Sequence, residues 1–235
     1  LSNGISIKLS ALYSKYDALH EREVKNFLLP KLRDLVIEAS VKDVPVTIDA
    51  EEQDRLSLSL SLIEDLALDP VIKNWPKLGL AVQAYGKRSL QVIEYLGQLA
   101  QQRNTIHVRL VKGAYWDAEI KNAQVQGLSG YPVFTRKEAT DISYLANAKK
   151  LLDMTDRIYP QFATHNAHTV VAIEQMAPDN VECEFQRLHG MGDALHEIRR
   201  NVDKRQRRIY APVGVHQDLL AYLVRRLLEN GANSS

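Results

Sequence analysis

Short apolar runs alternate along this chain with longer stretches of helical period. The runs are ISIKLSA from Ile5, VPVTIDA from Val44, LGLAVQAY from Leu78, IHVRLVKGA from Ile106, QFATHN from Gln161, ECEFQRLHG from Glu182 and RIYAPVG from Arg208. Most alternate with a period of two, which predicts strands. Between them lie helical segments over Glu21–Ser40, Gln53–Leu68, Ser89–Arg103, Asp141–Leu152, His168–Met176, Ala194–Val202 and Gln217–Asn230. Strand followed by helix, repeated, predicts a parallel α/β sheet with covering helices. No G-x-G-x-x-G marks the first turn, so a (β/α)8 TIM-type barrel is expected rather than a doubly wound dinucleotide fold. The seven runs are one short of a closed barrel, and the first lies within a few residues of Leu1. The first strand of the barrel and its helix are therefore expected to be missing from this chain. Residues 1–235 read as one barrel domain, N-terminally incomplete, because no linker or short-period repeat divides them.

Composition narrows the function classes. The formal net charge is +1, with 45% hydrophobic and 25% charged residues, so there is no excess field for a nucleic acid or an anionic membrane. Cys183 is the single cysteine; it excludes an intrachain disulfide and points to a reducing compartment. The apolar runs are short and broken by charges, which argues against a transmembrane span. A cytoplasmic protein is expected, at most peripheral to a membrane.

The strands carry the first chemical signal. Ile5, Ile7 and Leu9 fall on one face of the first run and Ser6, Lys8 and Ser10 on the other; Val46 and Ile48 oppose Thr47 and Asp49. Gln83 opposes Val82, Arg109 opposes Val108 and Leu110, Gln186 opposes Phe185, and Tyr210 opposes Ile209. An ordinary barrel fills its interior with branched apolar side chains, whereas this alternation puts polar groups there, towards the strand carboxyl ends where barrel enzymes hold their sites. Burying so many polar groups is costly unless they bind each other or a ligand. In IDAEEQDR only Asp49 reads as a site residue, since Glu51, Glu52 and Asp54 suit the positive end of the following helix. His165 and His168 in ATHNAH have no third ligand at metal-binding spacing, so no metal is expected.

The segment QDLLAYLVRRLLEN carries Leu219, Leu220, Leu223, Val224, Leu227 and Leu228 as an apolar stripe. Tyr222, Arg225, Arg226 and Glu229 share the opposite face at i, i+3, i+4 and i+7. Such a face is ordinarily a solvated one stitched by arginine–glutamate pairs. The competing reading is a fork for a carboxylate, which paired guanidinium groups match in bidentate geometry.

Taken in order, RLVKGAYW, FATHN, LHGMG and YLVRRLLEN resemble the proline dehydrogenase family, in particular the barrel of bacterial bifunctional proline utilization A. The likeness runs through nearly the whole chain, including ISIKLSALY, IDAEEQDRL, QAYGKR, GYPVFTRK and IYAPVG. The resemblance implies a distorted barrel holding FAD, which oxidises L-proline to Δ1-pyrroline-5-carboxylate and passes electrons to a membrane quinone. It also implies attachment to the inner membrane when reduced, an aldehyde dehydrogenase domain elsewhere in the parent chain, and no nucleic acid bound by this domain itself. Carried over by motif, Arg225 and Arg226 would bind the proline carboxylate with help from Lys8, and Glu229 would orient the arginines. Tyr115, Leu188, Tyr210 and Tyr222 would shape the pocket, and Asp49 would join it to Lys8. The flavin would be held by Gln83, Arg109, Val111, Lys112, Gly113, Ala114, Trp116, Arg136, Lys137, Thr164, His165, Asn166 and Gln186.

Two rival readings make different predictions. A flavin-free lyase or aldolase would use Lys8 or Lys112 as a Schiff-base amine. A non-catalytic flavin-binding, redox-sensing module of a larger regulator would bind the cofactor without turnover.

Overall fold

A computed structural model describes residues 3–215, 217, 219, 220 and 222–224. Seven strands form one sheet: β1 (Ile5–Ile7), β2 (Val46–Ile48), β3 (Leu78–Gln83), β4 (Ile106–Val111), β5 (Ile158–Ala163), β6 (Glu184–Leu188) and β7 (Gln206–Tyr210). Their order in space is their order in sequence, and every pair is parallel. The helices are α1 (Leu9–Leu12), α2 (Glu21–Val41), α3 (Leu56–Ala67), α4 (Ser89–Leu99), α5 (Trp116–Val125), α6 (Lys137–Leu152), α7 (Ala167–Met176) and α8 (Asp193–Val202). The architecture is thus the expected TIM-like α/β barrel, with the sheet curled and open: among the described residues no strand pairs β7 with β1.

The curl is visible in side chains that cross the interior. Arg109 of β4 donates from Nη2 to Ser6 Oγ of β1 at 3.0 Å, and Tyr210 of β7 donates to Asp49 Oδ2, just past β2, at 3.0 Å.

The core is the outer face of the sheet against the helices. Val46, Ile48, Leu80, Val108, Leu110, Ile158, Phe162 and Phe185 are buried there. On α2 the buried residues Val24, Leu28, Leu32 and Val36 recur every four positions, while Glu21 and Glu23 in its first turn face the positive end of the helix dipole. Tyr144 of α6 ties two strand ends together, with its hydroxyl 3.1 Å from both Leu110 O and Ala163 O.

Four details differ from the sequence-based expectation. The first strand stops at Ile7, and Lys8 caps a short helix that contains Leu9 and Ser10; those two residues do not extend the strand faces. The fifth strand starts at Ile158 rather than Gln161, because Pro160 is accommodated within it at the loss of one ladder donor. Helix α5 gave no apolar stripe: its buried residues are Glu119 and Ala123. In the last predicted helix Leu220, Leu223 and Val224 are exposed and Leu219 is half-buried, so the described part of the expected stripe is not a buried face.

Candidate active site

The polar strand faces converge on a cavity of about 560 Å³ at the carboxyl ends of the strands, within the usual range for small-molecule sites, roughly 300–1,000 Å³. Arg109 is at its centre and is held on three sides. Its Nη1 donates to Asp49 Oδ1 at 2.9 Å, its Nε to Gln186 Oε1 at 2.7 Å and its Nη2 to Ser6. The guanidinium also lies 5.1 Å from the centre of the Tyr210 ring, a cation–π contact. Tyr210 in turn stacks on Tyr222, with ring centres 6.5 Å apart.

Asp49 is the carboxylate of this cluster. Burial pushes its pKa above the ordinary aspartate value, opposed by the positive charge of Arg109 and the hydrogen bond from Tyr210. The Tyr210 phenol is pushed up, first by burial and then by the Asp49 charge. Proton affinity at Asp49 therefore depends on Arg109 keeping its place.

Lys8 sits at the end of β1, 3.7 Å from Glu51 and 5.4 Å from the centre of the Tyr115 ring. Glu51 is buried, accepts from Ser10 N at 2.9 Å and pairs with Arg55 at 3.2 Å. Its assignment as a helix-end acid is corrected: it anchors Lys8, and its carbonyl accepts from Gln83 Nε2 at 2.8 Å. The other end of the Gln83 amide accepts from Ala114 N at 3.3 Å, which fixes the turn after β4. In that turn Gly113 has φ +139°, and a Cβ there would lie 2.5 Å from the Tyr85 ring, so the chain passes where only glycine fits. Buried Lys112 pairs with Asp141 of α6.

The turn after β5 supplies Thr164, His165 and Asn166. Asn166 Oδ1 caps α7 by accepting from Thr169 N at 2.9 Å. His165 Nε2 accepts from Leu188 N at 2.9 Å, which leaves the ring proton on Nδ1. His196 Nε2 donates to Thr164 O at 3.0 Å, and burial lowers the affinity of this imidazole for a second proton.

The expected residues Lys8, Asp49, Gln83, Arg109, Val111, Lys112, Gly113, Ala114, Tyr115, Thr164, His165, Asn166, Gln186, Leu188, Tyr210 and Tyr222 all line this cavity. Trp116, Arg136 and Lys137 are not among its lining. Trp116 begins α5 with its indole N–H on Phe134 O at 2.9 Å; Arg136 is exposed beside Glu138, and Lys137 opens α6. Arg225, Arg226 and Glu229 lie outside the described residues. The sequence reading missed Arg187, Gly190, Met191 and Gly192, which also line the cavity. The glycines of LHGMG were the available signal, since both have positive φ, 78° and 66°, and make a tight turn at the mouth. Arg187 was passed over because strand alternation gives it the outer face.

A parallel barrel with a polar, cation-rich cavity at its strand carboxyl ends defines an enzyme-type site of the TIM-like class. The family model described as proline dehydrogenase matches residues 2–235, and the chain belongs to that family. It is 55% identical over 241 aligned residues to the bifunctional protein PutA of Klebsiella aerogenes, covering 99% of this chain and 18% of that protein. Identity to PutA of Escherichia coli is 54% with the same coverage. A crystal structure of bifunctional proline utilization A superposes with a TM-score of 0.95 at 55% identity, over 99% of this chain and 24% of the other. Proline utilization A from Bdellovibrio bacteriovorus, inactivated by N-propargylglycine, gives 0.92 at 37% identity, over 98% and 24%. The chain thus spans about a fifth of the length of these curated relatives.

Proposed function

We propose that residues 1–235 form an FAD-dependent proline dehydrogenase barrel, oxidising L-proline to Δ1-pyrroline-5-carboxylate as the first step of proline catabolism. The observation that carries this reading is the convergence of Lys8, Asp49, Gln83, Arg109, Lys112 and Gln186 on one cavity in a chain of this family. The residues fit the cofactor. The volume exceeds what a small amino acid needs, and the cationic and amide groups suit an anionic, hydrogen-bonding heterocycle beside the apolar walls of Val111, Ala114 and Leu188. Gly113, whose backbone approaches too closely for a side chain, supplies a smooth edge to that cradle. Gln83, Arg109, Lys112, His165, Asn166 and Gln186 would hold the flavin, with Trp116, Arg136 and Lys137 reaching it only from outside the lining.

When bound, the flavin supplies the two-electron acceptor. The protein's own work is to bind and orient proline. Lys8, with Arg225 and Arg226, is assigned to the carboxylate, and Tyr115, Leu188, Tyr210 and Tyr222 to the ring. Oxidation of a secondary amine requires an unprotonated nitrogen. Asp49 is kept from serving as a free acid or base by its bonds from Arg109 and Tyr210, so its part is to hold those two groups. Lys8 and Lys112 are both ion-paired, which leaves neither as a free amine for Schiff-base chemistry. N-propargylglycine, which inactivates the Bdellovibrio relative, shares a carboxylate and a secondary amine with proline.

The proposal extends to a membrane quinone as electron acceptor, to an aldehyde dehydrogenase domain in the parent chain and to a cytoplasmic enzyme that meets the inner membrane when reduced. Among the described residues no helix is long and apolar enough to cross a membrane. The test is the visible spectrum of the purified protein on anaerobic addition of L-proline. A flavin band that bleaches supports the reading; bound flavin that stays oxidised indicates a redox-sensing module instead, and protein that takes up no flavin overturns the assignment. Arg225→Met and Arg226→Met are expected to weaken proline binding while leaving FAD bound.

A further inference from the structure

Beneath the cavity, on the inner face of β6, Glu184 is fully buried. Its Oε1 accepts from Gln186 Nε2 at 2.6 Å, Gln161 Nε2 at 3.1 Å and Arg208 Nε at 2.8 Å; its Oε2 accepts from Arg208 Nη2 at 3.1 Å. Gln186 is the cavity-lining residue among these partners, and the Tyr159 hydroxyl lies 3.5 Å from Oε2.

The arrangement has only one polarity. A carboxylate only accepts and a guanidinium only donates. Gln186 lies between the two, so its NH2 must face Glu184 and its oxygen must face Arg109 Nε. Gln161, the neighbouring amide, is turned the same way, although this leaves its own buried Oε1 without a hydrogen-bond partner. The carboxylate thus dictates amide orientation around it even where another buried group goes unsatisfied, which ordinarily costs stability. From Glu184 the order runs through Gln186 to Arg109, then to Asp49, which Tyr210 holds from the far side.

We propose that Glu184 is a positioning residue for the Arg109–Asp49 pair, acting through the amide of Gln186. The inference rests on the functional reading of the cavity, because that reading makes the pair part of the proline site. With glutamine at 184 the Gln186 amide is free to flip and to present NH2 to Arg109, donor against donor. Arg109 then loses one of its fixed directions and Asp49 loses part of its counter-charge.

The groups facing Asp49 are Arg109 from β4, Tyr210 from β7, Lys8 at the end of β1 and Glu51 on its own loop. These allow a test by sign. Removing the negative charge of Glu184 would, by electrostatics alone, lower the Asp49 pKa, whereas loosening Arg109 raises it. The experiment follows the carboxyl resonance of Asp49 in 13C-aspartate-labelled protein, assigned by its loss in Asp49→Asn, through a pH titration of the wild type, Glu184→Gln and the charge-balanced Glu184→Gln/Arg208→Gln.

Both variants are expected to raise the Asp49 pKa by about one unit, the low end for losing a nearby opposite charge. A fall in Glu184→Gln with no change in the double variant would show Glu184 to be merely a nearby charge and would overturn the proposal. No change in either overturns it as well. Should Glu184→Gln fail to fold, the double variant decides alone. If Asp49 responds as expected but the wild type does not oxidise proline, the functional reading falls and the positioning role stands. Proline oxidation with no response at Asp49 gives the reverse.

Discussion

The two faces of the same strands do different work. On β4, Val108 and Leu110 point outward and are wholly buried against helices, while Arg109 between them points inward and is buried among polar partners. The outer face is stabilised by burial of apolar area, which is non-directional and tolerant of small changes of partner. The inner face has no such reserve. Each buried donor or acceptor there must meet a specific atom, so the interior is stable in one arrangement and that arrangement presents Arg109, Asp49 and Lys112 to the cavity. A two-residue period therefore separates what folds the barrel from what equips it for chemistry.

The largest expected effect comes from breaking the inner face. Arg109→Met leaves Asp49 and Gln186 without their shared donor and is expected to cost about 3–5 kcal/mol at neutral pH, read by denaturant unfolding, together with loss of the proline response. On the outer face Leu110→Ala is expected to cost about 2–3 kcal/mol through the lost methyl groups and the cavity left behind, with the site chemistry retained.

A third effect depends on pH. His107 lies on the inner face of β4 beside the Tyr159 ring, 4.7 Å between centres, and burial lowers its pKa from 6.5 to about 4. A depressed folded pKa means that the unfolded chain takes up the proton first. The stability is thus fully present above pH 6.5 and is lost as the pH falls towards about 4, by about 2–3 kcal/mol. His107→Gln should flatten that part of the stability–pH curve; an unchanged slope would show that other groups carry it. The smallest effect is at the surface. Lys42→Ala breaks an exposed pair with Glu38 on α2 and is expected to leave the unfolding midpoint unchanged.

The same contrast explains what could be read from the residues alone. Strands such as LGLAVQ and IHVRLV show their period directly, and of the polar members of that period Gln83 and Arg109 line the cavity while His107, nearer the start of β4, does not. Helix α5 was hidden because its buried side includes a glutamate, Glu119, that accepts from Gln53 N at 2.7 Å; a periodicity of hydrophobicity cannot register a buried acid. Glu51 was misjudged for a related reason: its position suited a helix end, and only the fold brings Lys8 and the Ser10 amide to it. The spacing of Arg225 and Arg226 offered a carboxylate fork as one of two readings and the resemblance favoured it; the flavin came from the resemblance alone, since no spacing in the chain names a cofactor.

The most direct test of the account compares two adjacent residues on one strand. Leu110→Ala and Arg109→Met, each purified with flavin, are titrated anaerobically with L-proline while the flavin band is followed. The account predicts that Leu110→Ala is less stable yet bleaches fully per bound flavin, while Arg109→Met fails to bind flavin or fails to bleach. Normal bleaching in Arg109→Met, with its loss in folded Leu110→Ala, would contradict the division of labour between the faces and remove Arg109 from the site.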